Sequence, residues 1–478
     1  MHNRDNQVDP QRDAEALRVL ALLPPAPEWV PARDGITHDV AIIGGGQNGV
    51  ALAFALRRLG VARVTVIDAA PAGAPGIWRE PARMNVLRTP KHLNGPELDL
   101  AELSFRHWFE ARHGVAAYDE IQFIKRLDWA DYLDWFRAIT KTPVRHDTTL
   151  QALTPHPDGV ELQLSHGGKT LRETARKVVL TSGVAGFGGP SLPAFTTNLP
   201  AGSYAHTADR IDFSALQGRD VAVLGAAASA FDAAATALEQ GARSVHLYAR
   251  RQRLTNRAPL RLRGHAGAAP HFHLLPDETR WLLNVTARQH GATPPREALR
   301  RIAEHENFFI HAGADWQNVR ADGERIRFDS GGQTHQADFL ILGTGYHADV
   351  AKTPILAPLE RDIATWADRY VAPADLADPT LSLSPYLGPD FELTEKQPGQ
   401  APHVKRIHVY SAAATASFGR PIGDVPCMGL HVPQLARAVV RDLYFADLAA
   451  HLHAATQLPP EDFPLDLYTT AGQRAQAA

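Results

Sequence analysis

The sequence predicts an α/β fold built from two strand–turn–helix–strand units, one nested inside the other. Three observations lead there. Residues 38–68 run from an apolar strand (DVAII) through a glycine turn and a helix (QNGVALAFALRRLG) into a second strand, VARVTVID. Residues 220–250, DVAVLGAAASAFDAAATALEQGARSVHLYAR, repeat the order strand, small-residue turn, helix, strand. The chain is long enough for both: 478 residues, 44% hydrophobic and 21% charged, allow two to four domains with real cores. A strand returning to its neighbour through a helix is a parallel crossover, so each unit is Rossmann-like.

The remaining elements fall around these units. Residues 1–36 read as an N-terminal arm, with Leu17, Leu20, Leu22 and Leu23 on a short amphipathic helix and PPAPEWVP as connector. Residues 37–200 and 336–478 are expected to make one dinucleotide-binding domain, and 201–335 the domain inserted in it. Residues 146–164 alternate as a β-meander, and KVVLTSG is a strand that ends at Gly183. FFIHAG, ERIRFDSGG and FLILGTGY are expected to continue the second unit as parallel strands. Residues 257–310, rich in Arg, His and Pro, read either as an insertion over the inter-domain cleft or as a contact in a homo-oligomer.

Composition removes several function classes. A net charge of −3 offers no basic surface for nucleic acid. One cysteine, Cys427, cannot form an internal disulfide, a CxxC pair or a thiolate zinc site, which fits a reducing compartment. No run approaches the ~20 apolar residues that span a bilayer. The first residues are polar, so no secretory signal is expected and a cytoplasmic location is. His265, His271 and His273 lack a further ligand at defined spacing, and no metal is expected.

The two turns carry the chemistry. Gly44, Gly46 and Gly49 form GxGxxG between strand and helix, enclosing Gln47 and Asn48. Gly44 permits the tight turn, Gly46 lets backbone approach a pyrophosphate, and Gly49 lets helix pack on sheet. The helix N-terminus is an anion site. Asp68, 24 residues after Gly44, can hold ribose hydroxyls. In the second turn Gly225, Ala227 and Ala230 take the three positions, with Ser229 between them, and Ala227 puts a Cβ where the pyrophosphate should approach. Arg250 and Arg251 close the second strand, where a planar guanidinium suits a 2′-phosphate. Acid after one turn and arginine after the other point to FAD and NADPH, respectively.

With these features the chain resembles the flavin-dependent monooxygenases with two dinucleotide domains (class B: Baeyer–Villiger, flavin-containing and N-hydroxylating enzymes) over roughly residues 38–447. Gly202 and His206 resemble the GxxxH part of the family fingerprint, although Pro200 and Arg210 stand where it has aromatic residues. Gly343, Gly345 and Tyr346 in GTGY resemble the hinge at the return to the FAD domain. FGRPIGDVPCMGLHVPQLARAVV resembles the closing FAD segment, with a helix N-terminus near Leu430 and His431 facing the flavin. Trp78, ARMNVLRTPKHLNG and RLDWADYLDWFR resemble the N-hydroxylating branch, which would put Asn85 beside the isoalloxazine and Lys91 on the substrate. The same stretch reads equally as a loop and helix of the FAD domain with Trp108, Trp129 and Trp135 in its core.

The resemblance implies an NADPH-dependent flavoprotein monooxygenase. It would insert one atom of O₂ into a small organic substrate through a C4a-(hydro)peroxyflavin, N-hydroxylation of an amine being favoured, with Asn85 and His206 catalytic. Two other classes stay open: an FAD-dependent NAD(P)H oxidase or reductase, and a non-catalytic FAD-binding sensor, for which Ala227 is the motivating feature.

Overall fold

The computed structural model describes residues 7–74 and 76–477. Helix α1 (Ala14–Leu22) belongs to the arm. The arm is pinned by a buried ion pair, Arg112 to Asp13 at 3.1 Å, with the guanidinium over the Trp108 and Trp135 rings. Strand β1 (His38–Ile43), helix α2 (Gln47–Arg58) and strand β2 (Val64–Ile67) form the first unit, β1 and β2 pairing in parallel. Val40, Ala41 and Ile42 are buried, as strands covered on both faces require. Strand β3 (Val86–Pro90) pairs with β4 (Phe123–Lys125) beside the first sheet. Helices α3 (Phe105–His113) and α4 (Val115–Glu120) lie between them, and α5 (Arg126–Ile139) comes next. Strands β5 (Thr148–His156), β6 (Gly159–His166) and β7 (Lys169–Leu180) form the expected meander, and β7 returns parallel to β1.

The inserted domain begins with strand β8 (Tyr204–His206) and the second unit: β9 (Asp220–Leu224), α6 (Ala228–Glu239) and β10 (Ser244–Ala249). Helices α7 (Asp277–His290) and α8 (Arg296–Ala303) precede β11 (Phe308–Ala312). Strands β12 (Gln317–Asp322), β13 (Arg325–Ser330) and β14 (Gln333–Ala337) form a separate three-stranded sheet before β15 (Phe339–Leu342). The parallel sheet has the order β11-β10-β9-β15-β8, with hydrophobic clusters on both faces. Strand β16 (Ile407–Val409) then rejoins the first sheet alongside β7.

Two expectations need correction. ERIRFDS is antiparallel, because Gly331 and Gly332, at φ +58° and +75°, turn the chain straight back into β14. The second domain also runs past residue 335, to Leu342. The four residues of β15 are all buried, and their place is between β9 and β8. Helix α7, within the 257–310 stretch, packs on the chain itself. Trp281 and Val285 pack with Trp366, Leu381 and Ala416, and Asn284 donates to the Ala416 carbonyl at 2.8 Å.

Charged groups join the two domains. On α8, Arg301 grips Glu239 of α6 with two bonds of 2.7 Å and donates to the Arg83 carbonyl of the first domain at 3.3 Å. Beside it lies buried Asp232, 3.8 Å from Arg301. Burial pushes the Asp232 carboxyl up from 3.8 to about 6, against the pull of Arg301, Arg88 and Arg83; Glu297 adds repulsion. Because the folded state holds this proton more tightly than the unfolded chain, stability falls as pH rises from about 4 to 6, then levels off. Denaturant titrations should therefore show Asp232→Asn gaining about 2.4 kcal/mol relative to the parent between pH 4 and pH 7, most of the value of that pKa shift.

Candidate functional site

At the first turn the backbone geometry explains two of the three glycines. Gly44 sits at φ +117° and donates to the Ile67 carbonyl at 2.8 Å. The Thr181 hydroxyl donates to the carbonyls of Ile43 (3.0 Å) and Gly44 (2.9 Å). A Cβ on Gly44 would lie 2.5 Å from the Thr181 carbonyl oxygen, and one on Gly49 only 1.9 Å from the Gly44 oxygen. Gly46 differs. It is extended, φ −71° and ψ −173°, and the nearest atom to an added Cβ would be Gly76 Cα at 3.5 Å. The protein itself leaves room there, space through which a bound group can approach the backbone.

The surroundings fit the diphosphate and ribose of FAD. Gly46 caps α2 without a side-chain hydrogen bond, so the first amides of the helix remain donors for an anion. A cavity opens beside them, lined by Gly45, Gly46, Gln47, Trp78, Arg79 and Arg137. Asp68 accepts from Gly45 N at 2.5 Å and Ala70 N at 2.7 Å, one per oxygen, leaving each a lone pair for a ribose hydroxyl. Gln47 and Asn48 both donate to the Gly423 carbonyl, at 2.9 and 2.8 Å. Asn48 Oδ1 is buried without a protein partner, an acceptor that a bound group can satisfy.

The second turn copies this backbone. Gly225 is at φ +119° and donates to the Tyr248 carbonyl at 2.9 Å. Gly343 packs against it: a Cβ there would lie 2.6 Å from that of Ala230, and one on Gly225 would lie 2.2 Å from the Gly343 oxygen. Ala227 is extended like Gly46, at φ −95° and ψ 179°, and begins α6 with no side-chain cap. Its methyl narrows the approach without changing the turn. Half-buried Ser229 lies in the first turn of α6. Arg250 is exposed at the end of β10. Arg251 instead donates to the carbonyls of Arg288 (2.6 Å) and Gln289, closing the C-terminus of α7.

Other expected site residues are engaged within the protein. The Asn85 carbonyl accepts from Arg126 N at 3.0 Å, and its side chain lies near Glu297 of α8, where it favours the charged carboxylate. Lys91 donates to the carbonyls of Tyr118 (2.6 Å) and Asp119 (3.3 Å), with its ammonium 4.4 Å from the Tyr118 ring centroid. His206 is fully buried, edge-on to Tyr346 at 5.2 Å, and burial pushes its pKa down. Gly345, at φ +84°, accepts from Ser191 N at 2.9 Å next to this pair. The closing helix starts earlier than expected. It spans Val425–Ala446, because Asp424 accepts from Cys427 N at 3.1 Å and Pro426 occupies its first turn. Leu430 and His431 therefore lie in its second turn, with His431 fully buried and bonded to the Ala269 carbonyl at 3.2 Å. Cys427 is buried, and burial pushes its thiol well up, which leaves it a packing residue.

Sequence reasoning missed the arginines between Trp78 and the end of β3. Arg79 bonds Asp131 (2.7 Å) and Asp134 (2.6 Å) of α5 at the cavity wall, and Arg83 and Arg88 reach the second domain. Their spacing at 79, 83 and 88 was the one visible signal.

Residues 41–185 match a family model described as FAD-NAD(P)-binding. The chain is 38% identical over 432 residues to an FAD-dependent urate hydroxylase of Xanthomonas campestris pv. campestris, covering 89% of this chain and 91% of that protein. Among solved structures, an ornithine N-hydroxylase of Kutzneria sp. 744 superposes with a TM-score of 0.64 at 17% identity, over 85% of this chain and 99% of its own. The ornithine hydroxylase of Pseudomonas aeruginosa gives 0.66 at 14%, over 85% and 100%. These two share the fold. A pair of variants tests the first turn. Gly46→Val should yield protein without bound FAD whose Tm stays within about 3 °C of the wild-type apoprotein, whereas Gly49→Ala should lower Tm by more than about 10 °C. Absorbance at the flavin bands and a thermal melt read both.

Proposed function

The chain belongs to the same family as that hydroxylase and is an FAD-dependent monooxygenase, and we propose that it uses NADPH to hydroxylate an anionic, N–H-rich heterocycle of the urate type. The observation that carries this reading is the 38% identity spread over about nine-tenths of both chains. Lys91 supports it: its ammonium is committed to two carbonyls and is not offered to an amino-acid substrate.

When bound, FAD would supply the hydride-accepting and O₂-activating chemistry. The protein's residues supply position and shielding. The α2 amides and Arg79 hold the diphosphate, Asp68 the ribose, and Asn48 Oδ1 takes an N–H of the ring system. The α6 amides receive the second dinucleotide, and Arg250 pairs with its 2′-phosphate. The Trp78 and Trp129 indoles cover Gln47 and keep water from the turn.

Two measurements check the proposal. NADPH oxidation by the FAD-loaded protein should rise at least about tenfold on adding urate, with product formed in step with NADPH consumed. Stimulation by ornithine, lysine or other amines and not by urate would establish N-hydroxylation instead. Conversion of all the electrons to H₂O₂ under every substrate would establish an oxidase. Separately, Arg250→Ala should raise the KM for NADPH about tenfold while moving that for NADH less than about twofold; equal changes would remove the 2′-phosphate role.

A further inference from the structure

The segment from Trp78 into β3 bridges the first turn, α5 and the second domain. At one end the Trp78 indole donates to Gln47 beside the first turn, at 3.0 Å. Three arginines, Arg79 and Arg83 of the loop and Arg88 of β3, then leave in three directions. Arg79 goes to Asp131 and Asp134 of α5, within the first domain. Arg88 goes to the Thr293 carbonyl just before α8, at 2.9 Å. Arg83 crosses into the second domain, donating to the carbonyls of Thr207 (2.6 Å) and Asp209 (2.7 Å), with its guanidinium 5.1 Å from the Phe213 ring centroid. Return contacts hold the loop itself: Arg126 donates to the carbonyls of Trp78, Arg79 and Met84, and Arg301 to that of Arg83.

The carbonyls gripped by Arg83 sit at a defined place. They belong to the turn that ends β8, where Thr207 N donates to the Leu342 carbonyl at 3.0 Å and Asp209 Oδ2 accepts from His206 N at 2.8 Å. Leu342 is the last residue of β15, one before Gly343, which packs against the second nucleotide turn. A rigid path therefore runs from Gln47 through Trp78 and Arg83 to β8, β15 and Gly225. A planar guanidinium with two carbonyls and a ring face has little freedom to slide, and an ammonium could not reproduce that fork.

We propose that Arg83 is a positioning residue that fixes the orientation of the second nucleotide domain on the flavin-side loop, and with it the rate of hydride transfer, without contacting either cofactor. This rests on the proposed use of NADPH to reduce the flavin.

The experiment compares wild type, Arg83→Ala and Arg83→Lys in three readouts. FAD content should be unchanged by Arg83→Ala, since the first turn is built from other residues, and Tm should fall by no more than about 5 °C. The anaerobic rate of flavin bleaching at saturating NADPH should fall by at least about tenfold while the KM for NADPH moves less than about twofold, a change in orientation and not in affinity. Arg83→Lys should recover part of that rate. In the apoprotein, hydrogen exchange should accelerate at residues 78–88 and 204–213 and stay unchanged in β1, α2, β9 and α6. A normal bleaching rate in Arg83→Ala would overturn the proposal, and so would loss of FAD in step with the rate. If Arg83→Ala is insoluble, Arg83→Lys carries the test, with the same rate and exchange criteria. Failure of NADPH to bleach the wild-type protein would overturn the reading of function along with the kinetic claim; normal wild-type bleaching with unaffected variants would overturn the positioning role alone.

Discussion

A single side-chain amide, that of Gln47, holds the first nucleotide site together. Its oxygen accepts from the indoles of Trp78 and Trp129, and its nitrogen donates to the Gly423 carbonyl. Those three bonds join the start of α2, the loop before β3, helix α5 and the segment leading into the closing helix, which lies 376 residues away in sequence. Gln47 is buried, so each partner left unpaired would carry the full desolvation cost of a polar group, on the order of 1–3 kcal/mol. The network therefore specifies one arrangement of four segments around the helix end that receives the anion. Asn48 extends it to the same carbonyl and leaves one acceptor free.

The two nucleotide turns show how one backbone solution serves two ligands. Gly44 and Gly225 have nearly the same φ, and each donates to the end of the adjacent strand. Both helices begin without a side-chain cap, unlike α3, which Ser104 caps. The difference is confined to the capping position and the end of the second strand. One unit has a bare Cα and an acid there; the other has a methyl group and an exposed arginine. The two turns thus share their backbone and differ only in these side chains.

Between these sites, arginine does most of the joining. Arg83, Arg88, Arg126 and Arg301 reach across loops to main-chain carbonyls, where a fixed cation needs no carboxylate partner and the fork geometry selects one orientation. Asp232 and Glu297 lie among them, both raised by burial. The domain interface is consequently polar and directional, which suits domains that must meet in one relative orientation.

Much of this was legible in the amino-acid order. The two crossovers, the meander, the roles of Gly44 and Gly49, the acid after the first turn and the arginine after the second all come from local rules, because a positive φ or a forbidden Cβ is a property of neighbouring residues. What needed the tertiary structure was the choice of partners. GTGY could be recognised, but not that Gly343 would pack on the second turn and β15 would insert between β9 and β8. Lys91 was expected on the substrate, yet its ammonium lies bonded to the carbonyls of Tyr118 and Asp119. The arginines of the loop offered only their spacing, since a guanidinium is equally at home in solvent or on a distant carbonyl. The sequence by itself determined where the chain turns and which ends of helices are open to anions. Only the fold decided which side chains meet, because those contacts join segments up to hundreds of residues apart, and no local preference encodes their distance.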